Sequence, residues 1–190
     1  MRCISITGRI AGVFATCAVS LGSAHACIVF VPPRFEDVTY ADVVLIGRID
    51  NYRIIRDEAF RKRMLASPNL PDKERKFYSD PKTGLMSDYA RFDMKVEKMM
   101  VGKAKGTLSI TWDNSTFSEP DAMKPGRYLV ALRRAGSATP ALRGPSATIL
   151  ASPDPKSLTL LQAPCSSAFI YPAESDEART IQRILSVHDK

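Results

Sequence analysis

Tyr89 to Lys98 reads Tyr-Ala-Arg-Phe-Asp-Met-Lys-Val-Glu-Lys, with Ala90, Phe92, Met94 and Val96 alternating with Arg91, Asp93, Lys95 and Glu97. Side chains of an extended chain point to opposite faces in turn, so this stretch predicts a strand with one apolar and one charged face. The charges alternate in sign, which reads as a solvated ion-pair face. Downstream, Thr107 to Trp112 repeats the period of two, with Leu108, Ile110 and Trp112 on one side. Trp112 is expected to pack inside the fold and not to stack on a ligand. Between the two strands, Val101 to Gly106 carries the glycines of a hairpin connection.

Working outward, Pro125-Gly126 is a turn signal, and Arg127 to Arg133 forms another strand with Tyr128, Val130 and Leu132 on one face. Weaker strands are expected at Ala147–Ala151 and Leu158–Leu161. Upstream, Ala41 to Ile55 begins with the unbroken apolar run Val43-Val44-Leu45-Ile46, which suits a strand buried on both faces. Gly47 marks a bend or bulge in it. Two segments break the all-β pattern. Glu58 to Ala66 has helical spacing through Phe60, Met64 and Leu65 and stops at Ser67-Pro68. It opens a polar insertion over 57–88, with turns at Pro71-Asp72 and Asp80-Pro81. The last segment, 173–187, is helical, with Ala178, Ile181, Ile184 and Leu185 on one face. Short strands plus a terminal helix predict a mainly β fold, a small closed barrel, and not an α/β sheet.

The first 26 residues have the parts of a secretory signal. Arg2 and Arg9 are followed by the uncharged stretch Ile10 to Gly22, and Ala24-His25-Ala26 supplies small residues at a cleavage site. About 13 residues of apolar chain fall short of the roughly 20 that span a bilayer. Cleavage is therefore expected, leaving one exported domain over 27–190, periplasmic or extracellular. An uncleaved anchor and a lipidated Cys27 are the alternatives. The full chain carries 27 basic and 20 acidic residues. Nine of the basic residues, Arg53, Arg56, Arg61, Lys62, Arg63, Lys73, Arg75, Lys76 and Lys82, fall within 53–82 against five acids. The positive charge is thus concentrated in the segment 53–82. Cys3 and Cys17 leave with the signal, so Cys27 and Cys165 remain and suggest one disulfide in an oxidising compartment. Two free thiols are the other possibility.

The order of these stretches resembles a known family. A mature terminus at Cys27, the run Tyr40 to Ile49, the run Phe92 to Gly102, Pro125 to Val130, and a late Cys165 before a short helix are similar to netrin-like domains. That family includes the tissue inhibitors of metalloproteinases and bacterial exported relatives. The resemblance covers most of 27–187 and implies an oligonucleotide/oligosaccharide-binding (OB) barrel. In the inhibitors the first cysteine ligates a protease's catalytic zinc through its own amine and carbonyl. Cys27, followed by Ile28, is the matching position.

Catalytic chemistry is not expected. His188, at the frayed end, is the single histidine after residue 26, so Ser-His-Asp and Cys-His arrangements lack their base. The adjacent acids Glu36-Asp37, Asp57-Glu58 and Asp176-Glu177 point apart on a strand or helix. Neither a CxxC, an HExxH nor a phosphate-binding glycine loop occurs. Asn114-Ser115-Thr116 matches a glycosylation sequon, which the bacterial resemblance makes accidental. The expected function is a monomeric, non-catalytic binding module without cofactor or intrinsic metal. Its expected contact surface comprises Arg56, Arg61, Lys62, Arg63, Lys73, Arg75 and Lys76, with Cys27 and Ile28 at the N-terminal edge. An acidic envelope component or a protein is the expected partner, and nucleic acid is not. The alternative is metalloprotease inhibition through Cys27.

Overall fold

Val43, Val44, Leu45 and Ile46 open strand β1 (Val43–Ile55) and are all buried, as an unbroken apolar run requires. The computed structural model describes residues 31–113, 119–144 and 153–188. Residues 1–26, Cys27, Ile28, the Asn114 sequon, the strand expected at 147–151 and the side chain of His188 lie outside the described residues.

β1 pairs antiparallel with β2 (Tyr89–Val101) on one edge and β4 (Gly126–Arg133) on the other. β2 turns back as the hairpin strand β3 (Thr107–Asp113). Gly102 and Gly106 in that turn have φ of +77° and +72°, which glycine adopts without a Cβ clash. β3 runs parallel to β5 (Leu158–Leu160), and β5 pairs antiparallel with β4. The circuit β1-β2-β3-β5-β4 closes through the β1–β4 ladder. This is a small closed five-stranded barrel of OB type with one additional strand. That strand, β6 (Ile170–Pro172), lies in line with β5 along the same edge of β4. The chain between them loops out and rejoins where Leu161 N donates to Ala131 O at 2.8 Å and Ala131 N to Phe169 O at 3.0 Å.

The alternation along β2 and β3 is the barrel interior. Phe92, Met94, Ile110 and Trp112 meet Leu45, Val130, Leu132 and Leu160 there. Trp112 is 5 % exposed and donates its indole N–H to Gln162 Oε1 at 3.2 Å. A second core lies outside the barrel. Val44, Ile46, Leu129 and Ala131 pack against Ala178, Ile181 and Leu185 of the C-terminal helix and against Val38 of a 3-10 helix (Phe35–Tyr40). β1 and β4 are apolar on both faces because they are shared by the two cores. Each fully buried Leu, Ile or Phe contributes about 1.5–3 kcal/mol, so these two strands are the stable centre.

The insertion differs from the sequence reading in one respect. It holds two helices, α1 (Glu58–Leu65) and α2 (Asp72–Ser79), ahead of the C-terminal helix α3 (Asp176–His188). Pro71-Asp72 is therefore not a free turn but the start of α2. Pro71 stands at the N-cap, and Asp72 and Glu74 lie in the first turn, where carboxylates complement the helix dipole. α2 buries none of its residues, so it leaves no apolar period to read.

Candidate interaction surface

The insertion joins β1 to β2 and is fastened at its base. The Asp57 side chain caps α1 by accepting from Phe60 N at 2.9 Å. One turn on, Arg61 points inward and is 5 % exposed. Its Nη1 and Nη2 each donate to Asp88, both at 2.8 Å, and Nη2 also donates to Thr83 O at 2.7 Å. Asp88, 2 % exposed, further accepts from Asp57 N and Leu85 N at 2.8 Å each. Burial alone would raise the Asp88 carboxyl, but the bonds from Arg61 and the two backbone N–H groups outweigh it and hold it below its usual value. This corrects the sequence reading: Arg61 is a structural cation and not part of the contact surface. Asp88 had no sequence signal, since its partner lies 27 residues away.

The other expected surface cations divide by use. Arg56 is half-buried, donating to Thr83 O at 3.3 Å and lying 4.0 Å from Asp88. Arg75 is exposed but reaches back to the Leu65 carbonyl at 3.2 Å, tying α2 to the end of α1. Lys62, Arg63, Lys73 and Lys76 are exposed. Arg63 sits 5.6 Å from the Phe60 ring centroid, and Phe60, Tyr78 and Phe77 form a chain of edge-on rings. A groove of about 430 Å³ runs between the helices, lined by Glu58, Lys62, Leu65, Tyr78 and Asp80 among others. Structure thus brings the basic residues together on one ordered two-helix element.

Elsewhere on the barrel, several arginines are matched by carboxylates. Arg48 donates to Glu97 at 2.9 Å, Arg127 to Glu97 at 2.7 Å and to Glu174 at 2.9 Å. On the outer β2–β3 face, Arg91 bonds Ser109 at 3.0 Å and Asn51 bonds Asp93 at 2.9 Å. These exposed contacts add little to stability.

No protein-family model matches this chain, and no curated protein does. Among the described residues, no group of three or more His, Cys, Asp or Glu is arranged to hold a metal ion, and no helix is long and apolar enough to cross a membrane. At the N-terminal edge, Val31 N donates to Cys165 O at 2.9 Å, and Val31 bridges Ser166 in parallel. Cys165 is 1 % exposed and its φ is +62°.

Near the base of the insertion, Tyr52 donates its hydroxyl to Pro120 O at 2.5 Å. Beside that contact lies Glu119, whose Oε2 is buried without a hydrogen-bond partner among the described residues. Burial, reinforced by the nearby carboxylates of Asp113, Asp88 and Asp121, pushes the Glu119 carboxyl up to about 7. A carboxyl raised in the folded state favours folding while protonated. Its contribution is full below the unfolded value of about 4.3 and is lost as pH rises to 7. Stability should therefore fall by at most about 3 kcal/mol across that window, less after solvent screening. Urea midpoints measured against pH should show this slope, and E119Q should flatten it. An identical slope in E119Q would overturn the assignment.

Proposed function

We propose that this chain is an exported, non-catalytic binding module of netrin-like type that meets an acidic partner through the insertion between β1 and β2. One observation carries the reading. The insertion is fixed to the barrel by the buried Arg61–Asp88 pair, while Lys62, Arg63, Lys73 and Lys76 pair with no carboxylate among the described residues. OB barrels commonly contact ligands through the β1–β2 loop, so the element occupies a suitable position. Cations held on an ordered scaffold lose less freedom on binding than cations on a loose loop. Matched charge reversals test the reading. K62E/R63E should weaken retention on a polyanionic matrix about tenfold or more. K103E/K105E, the same charge change in the β2–β3 hairpin, should have a much smaller effect. Equal effects would mean that retention follows net charge alone, and the insertion would lose its role.

A second reading, inhibition of an extracellular metalloprotease through the Cys27 terminus, draws on the N-terminal edge. The bond from Val31 to the Cys165 carbonyl holds the chain four residues past Cys27 beside Cys165, which suits a Cys27–Cys165 disulfide and a tethered terminus. Intact mass should rise by two hydrogens on reduction. One extra residue before Cys27 should abolish chelation of a protease's zinc and leave polyanion retention unchanged.

A further inference from the structure

Resting on the reading of the insertion as an acidic-partner surface, we infer that its partner is an anionic lipid bilayer, engaged by the outer face of α2. The orientation of α2 is set by its contacts. Tyr78 is half-buried against the groove and Arg75 reaches the end of α1, which fixes the inner side of the helix. Lys73, Lys76 and Phe77 stand three and four residues apart, so they share the opposite side. All three are exposed, and Phe77 shows 48 % of its surface to solvent, more than any other aromatic side chain among the described residues. The Phe77 ring meets Tyr78 edge-on at 5.2 Å but leaves nearly half its surface in water beside the two lysines, a poor fit to solvent. It is also a poor fit to a purely ionic protein contact, which would leave the ring idle. At a bilayer interface each part has a use. The ring enters the boundary between headgroups and acyl chains, while the lysine stems extend their ammonium groups to lipid phosphates. α2 packs chiefly on α1, and all of its residues except Tyr78 are exposed.

The test uses the chain from Cys27 to Lys190, with vesicles of phosphatidylcholine alone and of phosphatidylcholine with phosphatidylglycerol. Sedimentation should show binding to the phosphatidylglycerol vesicles only, weakening as salt screens the lysines. F77A should weaken it roughly five- to tenfold and K73E/K76E by more than about thirtyfold. All three positions are exposed, so thermal melts should match the parent and exclude misfolding as the cause. Binding to the charged vesicles with F77A unchanged would overturn the inference, because charge alone would then explain it. Failure on vesicles, with retention on a polyanionic matrix that K62E/R63E reduces, would overturn the lipid assignment and leave the basic insertion standing. Failure of both would remove both.

Discussion

Arg61→Met is expected to destabilise the fold by about 3–5 kcal/mol, the cost typical of breaking a buried ion pair from one side. Surface pairs cannot compensate, because an exposed pair is worth about 0–1 kcal/mol. Asp88 would keep its charge in a site that is 2 % exposed. It would also lose two of its four donors, keeping only the backbone N–H groups of Asp57 and Leu85. D88N should cost about as much for the complementary reason: its amide would aim N–H groups at those same donors. The double variant should be less damaging than the two costs added, by about 2 kcal/mol or more, because it leaves no uncompensated charge. It should not return to the parent, since the two backbone donors stay unmatched. Urea unfolding of all four proteins gives the cycle. An R61M variant within about 1 kcal/mol of the parent would remove Arg61 from its structural role.

The same pair predicts an acid response. Asp88 is held below its ordinary value, so its stabilisation is present above about pH 3.9 and is lost as pH falls through the lower, folded value. D88N should lack that acid arm. A consequence follows for function. Reversal of Arg61 together with Lys62 and Arg63 would unfold the insertion and be mistaken for lost binding, whereas Lys62 and Arg63 alone probe the surface.

How far the sequence could be read depended on whether the deciding force was local. The period of two in Ala90-Phe92-Met94 and the apolar run at Val43–Ile46 follow from burial, and burial writes its pattern directly into the chain. The strands β1 to β4 and the helices α1 and α3 were legible for that reason. α2 was not, because Asp72-Lys73-Glu74-Arg75-Lys76 carries no apolar face and the helix is held by α1. β6 was hidden too: its three residues extend β4's partner edge only after a looped-out stretch. For the surface, the basic cluster was visible as composition, but the fate of each cation was not. Arg61 and Lys62 are adjacent and chemically alike. One is buried on Asp88 and the other faces solvent, a difference set by the phase of α1 against a residue 27 positions away.

Gly47 supplies the second large effect. The β1 register slips between Ile46 and Gly47, where the strand must bend to pair with both β2 and β4. A Cβ at Gly47 would fall 2.4 Å from Lys95 O and 3.0 Å from Met94 Cγ. The nearer atom is backbone in the facing strand, so no rotamer change relieves it. Either β2 moves away and its ladder with β1 weakens, or β1 straightens and strains the closure on β4. Gly47→Ala should therefore cost about 2–4 kcal/mol, at or above the upper end for overpacking a close-packed site. Two other glycines separate sterics from chain entropy. Gly84 has open space around a would-be Cβ and no positive φ, so Gly84→Ala should be neutral or stabilise by up to about 1 kcal/mol. Gly106 also has open space but a φ of +72°, so its alanine variant should lose only about 1 kcal/mol. The expected order of urea midpoints is Gly84→Ala, then Gly106→Ala, then Gly47→Ala. If Gly47→Ala matched Gly106→Ala, the bend would owe nothing to close strand approach. β1 runs on from this bend to Ile55 and into α1, so the same variant should also shift the insertion against the barrel. Weaker polyanion retention than its stability loss explains would show that the bulge positions the contact surface.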